Sequence, residues 1–222
     1  MDPAIEIHTV PGGTDLYIFF GGIASGIGMP PFEFHRASGI LGQHRIFVRD
    51  LSQCWYQAGI PGAGRDIRSV AAHLKGLINK IGASRVKFVG NSMGGFAALM
   101  FSSLIGTGGA IAFAPQTFIS PFLRLRHHDW RWRRRILAAW IAGIRRERIW
   151  DLLGVLTRQP PPDGCLVCVS SACALDCVHA AHISGLRGVR VRTYPSGGHG
   201  LVAWLRDANQ LKSIIATGTC IQ

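Results

Sequence analysis

The feature that most constrains this chain is the hexapeptide Gly90-Asn91-Ser92-Met93-Gly94-Gly95, set between Val86-Lys87-Phe88-Val89 and Phe96-Ala97-Ala98-Leu99-Met100. The first flank reads as a strand and the second as a helix. A serine at so sharp a strand-to-helix turn sits in strained backbone geometry, and glycines two positions before and after it let the chain pass closely without a β-carbon clash. The helix that follows points its free N–H groups and positive dipole end at the serine. With 28 glycines in the chain, Gly-x-Ser-x-Gly alone says little. The strand–turn–helix setting is what makes Ser92 a candidate nucleophile; the plainer reading is a turn serine on an inactive fold.

Around this turn, short apolar or β-branched runs at 5–10, 16–20, 45–48, 86–89, 110–113, 166–169 and 189–194 alternate with helix-like stretches at 65–81, 94–103, 130–149, 178–186 and 201–213. Such alternation predicts an α/β fold, with a mostly parallel central sheet covered by helices on both faces. In sheets of this kind ligands sit beyond the carboxyl ends of the strands, so functional residues are expected just after strands. The length of 222 residues suits a single domain over 1–222, and 48% hydrophobic residues supply a sizeable core. The alternation breaks at 118–162, between Ala114-Pro115 and Pro160-Pro161-Pro162, where no strand candidate appears. We read this stretch as a basic helical insertion, a lid over the site. It carries ten arginines against Asp129, Glu147 and Asp151, an excess of +7 within a net charge of +12.

A serine in an elbow of this kind takes its partners from later in the chain, an acid and then a histidine. The run 189–194 alternates like a strand and leads into Pro195-Ser196-Gly197-Gly198-His199-Gly200. His199 thus occupies a glycine-rich loop that suits a ring reaching across to Ser92; the alternative is a loop histidine satisfied locally. His8, His35, His44 and His73 precede the serine, His127 and His128 lie in the basic insertion, and His179 and His182 fall on a predicted helix. Between Asp163 and Asp207 the one carboxylate is Asp176, in a loop running into a helix. It is read as the acid that holds the imidazole in the tautomer able to accept the serine proton, with a helix N-cap as its simpler role.

An oxyanion needs two N–H donors. Met93 is placed to give one, and Ile23 or Gly22, in the turn after the strand at 16–20, the other. Trp55 and Tyr56 follow the strand ending at Val48, and with Trp130 and Trp132 of the insertion they are candidates to line a substrate pocket or to serve as packing. Cys54 has no glycine-flanked elbow and is not expected to be a nucleophile.

Together, the elbow at Ser92, the late Asp176 and the terminal-loop His199 resemble the α/β-hydrolase superfamily over most of the chain, from about Leu16 to Ser213. The resemblance implies acyl transfer but not a substrate. The chain is short for the family, so the first strands of the family's sheet are expected to be missing or reduced. Its oxyanion turn, Phe20-Gly21-Gly22, lacks the histidine that many members place before the glycine.

The implied chemistry is a two-step transfer. Ser92 gives its proton to His199 and attacks an ester or thioester carbonyl, and a second nucleophile releases the acyl group. No metal or organic cofactor is expected. If water is the second nucleophile the chain is an esterase or thioesterase. If a bound hydroxyl, amine or thiol is, the chain is an acyltransferase, and the basic insertion would suit an acidic acyl carrier protein as donor. A non-catalytic binding module is the rival from another class. The stretch 130–149 has Ile136, Leu137, Trp140, Ile141 and Ile144 at helical spacing, which fits packing on its own domain better than lying on a membrane. No nucleic-acid motif accompanies the arginines.

Six cysteines, with no secretory signal and no apolar stretch long enough to span a bilayer, fit thiols in a reducing cytoplasm. Cys165, Cys168, Cys173 and Cys177, with His179 and His182, resemble a metal set in spacing. However, Cys165 and Cys168 are three apart on a predicted strand and so point to opposite faces, which argues against tetrahedral ligation.

Overall fold

The structure is a computed structural model that describes residues 3–23, 34–142 and 148–218. Seven strands form one sheet: β1 Ile5–His8, β2 Asp15–Phe20, β3 His44–Val48, β4 Arg85–Asn91, β5 Gly109–Phe113, β6 Cys165–Ser170 and β7 Val189–Tyr194. They coincide with the seven runs predicted from the sequence, within two residues at each end. The sheet order is β1-β3-β2-β4-β5-β6-β7, parallel throughout except that β1 pairs antiparallel with β3 at the edge. The order reverses at β2: β3 lies on one side of it and β4 on the other. Loops leaving β2 and β4 therefore diverge at the carboxyl edge and leave a crevice between them.

The helices are α1 His35–Ser38, α2 Ile67–Ile81, α3 Met93–Ile105, α4 Pro121–Arg126, α5 Arg133–Ala142, α6 Leu152–Arg158, α7 Ala174–Ile183, α8 Leu201–Asp207 and α9 Leu211–Thr217. They cover both faces of the sheet. On one face α2, α3, α5, α6 and α7 bury Leu74, Phe96, Ile136, Leu152 and Ile183 against Ile18, Phe88 and Val167. On the other, α8 and α9 bury Leu205 and Ile214 against Phe19, Phe47 and Phe113. Cys165 belongs to the first cluster and Cys168 to the second, the opposite-face placement that the strand period requires. All five described cysteines are free thiols. No helix among the described residues is long and apolar enough to cross a membrane.

Local chemistry explains the element ends. Asp66 caps α2 through a reciprocal pair with Ser69, and Gly82 closes the helix in a left-handed conformation. α3 is apolar on every side because it is buried between the sheet and its neighbouring helices, and it carries Ser92 at its head.

Three expectations are corrected here. The helix expected over 130–149 is α5 alone, Arg133–Ala142. His128 and Trp132 take left-handed backbone at φ +51 and +56, and Asp129 accepts the Arg131 N–H, so the chain turns where a helix was expected. Of that helix's apolar set, Ile136 is buried while Leu137 and Ile141 are exposed; Ile144 lies outside the described residues. The helix expected over 201–213 breaks into α8 and α9 around Asn209, at φ +56. Finally, α7 starts at Ala174 with Cys173 as its N-cap, so Asp176 is in its first turn and is neither a loop residue nor the cap.

The loop after β3 is built on one buried carboxylate. Asp50 accepts N–H bonds from Ser52 (3.0 Å), Cys54 (2.7 Å) and Tyr56 (2.8 Å). These bonds hold Gln53, Trp55 and Tyr56 at positive φ. Gln57 then makes a two-way bond with the backbone of Ile149, donating to its carbonyl (3.0 Å) and accepting from its N–H (3.1 Å). This loop thus ties the 118–162 segment to the body of the sheet. Replacing Asp50 by Ala leaves three N–H groups without an acceptor, and the expected loss is about 3 kcal/mol, read as a lowered urea midpoint at unchanged slope.

Candidate active site

Ser92 sits at φ +54 and ψ −117. Such a backbone persists only where its surroundings over-determine it. Its N–H donates to Phe113 O (2.9 Å) on β5, and its carbonyl accepts from Phe96 N (3.1 Å) in α3. The flanking glycines are required by close approach. A Cβ on Gly90 would lie 2.1 Å from Gly94 O, and one on Gly94 would lie 2.1 Å from Phe20 O. The second contact brings the end of β2 against the head of α3, one residue from Met93. Gly21 is pinned there by its N–H on Val48 O (2.9 Å) and by the Tyr56 hydroxyl on its carbonyl (3.0 Å). Gly22 and Ile23 therefore leave β2 beside the start of α3.

His199 lies in a single tight turn, Gly198–Gly200, after β7. Gly197 at φ +99 and Gly198 at φ +52 swing the chain back over the strand ends, a path that favours glycine at both positions. His199 Nε2 is 3.1 Å from Ser92 Oγ, and Nδ1 is 3.0 and 2.9 Å from the two oxygens of Asp176. With its proton on Nδ1 the ring donates to Asp176, leaving Nε2 free to accept the serine hydroxyl proton. The three residues picked out from widely separated stretches of sequence are thus in hydrogen-bonding contact.

Asp176 has no exposed surface. Burial alone would raise its pKa, yet the bonds from His199 and Arg131 hold it below the ordinary value of 3.8. Arg131 Nη1 donates to Asp176 Oδ1 at 2.7 Å. The same guanidinium grips Asp129 with Nε and Nη2, both at 3.0 Å. Asp129 is fully buried and also meets His179 Nε2 (3.0 Å) and Arg124 Nη1 (3.6 Å). Burial opposes its charge, but His179 and the two arginines prevail and hold it well below the usual carboxylate range. Burial pushes the His179 imidazole below its ordinary value despite the opposing pull of Asp129, and its Nδ1 accepts the Thr117 N–H at 3.1 Å, as a neutral ring can. Sequence reasoning counted Asp129 and Arg131 only as charges of the insertion and set His179 aside. The one local signal was a carboxylate alone among arginines, followed by Trp130 and Trp132.

The expected pocket residues are placed differently. Trp55 and Tyr56 are fully buried. Trp55 Nε1 donates to Gln116 Oε1 (3.1 Å), and Tyr56 OH donates to Gly21 O (3.0 Å). They brace the loops around Ser92 from behind and do not line an open pocket. Trp130 is 58% exposed, and Trp132 packs half-buried against the core. Burial pushes the Cys54 thiol up to about 12, which fits a packing residue. Among the described residues, Glu6, His8 and His35 are the trio whose possible ligand atoms lie within 4.8 Å of one another; Glu6 and His8 are on the edge strand β1.

No protein-family model matches the chain, and no protein of curated function matches it in sequence. The solved structures do match, and with the sheet order and elbow they identify the fold: the chain has the α/β-hydrolase fold. It is similar to the capsule O-acetyltransferase of Neisseria meningitidis serogroup A, at 12% identity and TM-score 0.67 over 95% of this chain and 90% of that one. It is similar to MenH from S. aureus, at 13% identity and TM-score 0.61 over 96% of both chains. An S-formylglutathione hydrolase from Agrobacterium tumefaciens matches at 16% identity and TM-score 0.57, over 92% of this chain and 86% of that one.

Two outcomes follow from this geometry. Gly94→Ala should lower stability by about 3 kcal/mol or more, because the new methyl would run into the Phe20–Gly21 backbone. Gly76→Ala, in α2 with open space around it, should raise stability by about 0.5–1 kcal/mol; thermal unfolding of the pair reads both. Asp129 and Asp176 also have folded values below those of the unfolded chain, so their contribution is complete above about pH 4 and fades as the pH falls through the folded values. Urea midpoints followed from pH 7 to pH 2 should fall mainly below pH 4, and less steeply in Asp129→Asn.

Proposed function

We propose that this chain catalyses serine-dependent acyl transfer, with hydrolysis of an ester or thioester as its principal reaction. The observation that carries this reading is the contact chain from Ser92 Oγ to His199 Nε2 (3.1 Å) and from His199 Nδ1 to Asp176 (2.9 and 3.0 Å), at a serine held in strained backbone. His199 takes the hydroxyl proton onto Nε2 as Ser92 Oγ bonds to the acyl carbon. Asp176, already ionised, stabilises the imidazolium. The N–H of Met93 and that of Gly22 or Ile23 receive the developing oxyanion. His199 then protonates the leaving group. In the second half it takes a proton from water as the water oxygen bonds to the acyl carbon, then returns a proton to Ser92 Oγ as the acyl–Ser92 bond breaks. These steps use the chain's own side chains and backbone.

On this reading 1–222 is one catalytic domain and 118–162 is its lid. The free thiols fit work in a reducing compartment such as the cytoplasm. The exposed Arg133, Arg134 and Arg135 on α5 support an acidic donor, such as an acyl carrier protein. The likeness in fold to a capsule O-acetyltransferase brings a second reading, in which a bound hydroxyl replaces water as acceptor.

A fluorophosphonate probe tests the common step. A single adduct is expected on Ser92, absent in Ser92→Ala and slowed by about a hundredfold or more in His199→Ala. Folded protein that takes no label, lid trimmed or intact, would leave a binding module as the surviving reading. Rising salt should weaken turnover of an acyl group carried by an acidic protein and leave turnover of a small activated acetyl ester unchanged.

A further inference from the structure

The insertion does more than cover the strand ends: it reaches into the charge system behind Ser92. Starting from His199, the contacts run Asp176, Arg131, Asp129, and then Arg124 and His179. The signs alternate along this series. With His199 and His179 neutral, two carboxylates face two guanidiniums and the cluster is balanced. Its far members are buried: Asp129, Asp176 and His179 have no exposed surface and Arg124 is 5% exposed, while Arg131 and His199 are half-buried at the end that faces Ser92. In so dry a setting a unit charge acts strongly on its neighbour.

Arg131 is the member that matters to His199. It binds Asp176 through Oδ1, an oxygen that also accepts from His199 Nδ1. The guanidinium and the imidazole therefore compete for one carboxylate. The remaining groups facing Asp176 are the Cys173 thiol at the head of α7, the His179 ring one turn further along that helix and the turn holding His199; those facing Arg131 are Asp129, Asp176, Arg124, His179 and Cys173. None of the others places a full positive charge on the carboxylate. The Arg131 fork is itself held in place by Asp129, which grips its Nε and Nη2 and leaves Nη1 directed at Asp176.

We propose that Arg131 is a positioning residue of this site: by orienting Asp176 and sharing its charge, it sets how strongly that carboxylate holds the His199 imidazolium. Without Arg131, Asp176 would act on His199 with its whole charge, and the imidazolium would persist to higher pH. Without the charge of Asp129, Arg131 would bear harder on Asp176, and the imidazolium would be lost at lower pH. The two changes thus shift His199 in opposite directions. A purely structural tie between insertion and sheet shifts it in neither.

This inference rests on the proposed acyl transfer, so its test uses two readouts. The first is the rate of Ser92 labelling by a fluorophosphonate between pH 4.5 and 9. The second is the NMR titration of the His199 ring in Ser92→Ala protein, assigned by its loss in His199→Gln. Arg131→Met should raise the acidic limb and the ring's midpoint by about one pH unit. Arg131→Lys, which restores the charge, should return both most of the way. Asp129→Asn should lower both, and it serves as the second variant if Arg131→Met fails to fold. Midpoints unchanged, or moved in the same direction by Arg131→Met and Asp129→Asn, overturn the role given to Arg131. Absence of labelling in the wild type with the ring shifts as stated would instead overturn the catalytic reading and leave this charge coupling standing.

Discussion

A non-glycine residue at φ +54 costs about 1–3 kcal/mol relative to ordinary backbone, and the architecture of the carboxyl edge is arranged to hold Ser92 there. The serine N–H belongs to β5 and its carbonyl to α3, so neither can relax without breaking the sheet or unwinding the helix. Gly90 and Gly94 let three stretches of backbone meet where side chains would collide. That same crowding presses the end of β2 against the head of α3. The strained serine and the N–H donors expected for an oxyanion are thus products of one packing event.

The second constraint is electrostatic. A buried carboxylate facing a histidine is unstable on its own account, because burial penalises its charge. Asp176 is relieved by a guanidinium, the guanidinium by Asp129, and Asp129 by a further arginine and a neutral histidine. Each burial is tolerable because of the next. The series ends in the backbone N–H of Thr117, just beyond β5, and so closes on the sheet from which it started. Helix α7 carries two members of it, Asp176 and His179, three residues apart on one face.

How much of this was legible in the sequence varies by the range of the interaction. The strands and the elbow are local patterns, an apolar period and a glycine spacing, and all seven strands and the turn at Ser92 stand where the residues imply. His199 was legible for the same reason: two glycines after a strand and before a helix have few uses. Asp176 emerged because no other carboxylate stood in its stretch, but its helical setting did not, since Cys173 is an uncommon N-cap. The turn around 128–132 was hidden because it is made by ion pairs, one of them linking residues 45 apart in the chain, and these override helix propensity without leaving a periodic trace. Which of their two readings Trp55 and Tyr56 would take, pocket or packing, was not legible for a related reason. Their left-handed backbone turns their side chains under the loops, and only the carboxylate of Asp50 makes that turn affordable.

The attachment of the 118–162 segment also bears on how such a chain can vary. It is fastened where it leaves the sheet, by Thr117 and His179. It is fastened where it returns, by Gln57 and Ile149 and by the N–H groups of Ile119 and Ser120 on Trp150 O. It is fastened a third time in between, through Arg131. A strap fixed at three points cannot swing aside about one hinge. Helix α5 is held by its inner face, through Ile136 and Ala139 in the core and Trp140 Nε1 on Ile119 O (2.9 Å), and its outer face is open. Side chains on its outer face, such as Arg134, Leu137 and Ile141, can change without moving Ser92, His199 or Asp176, so this face is where relatives with the same core and different acceptors would be free to diverge.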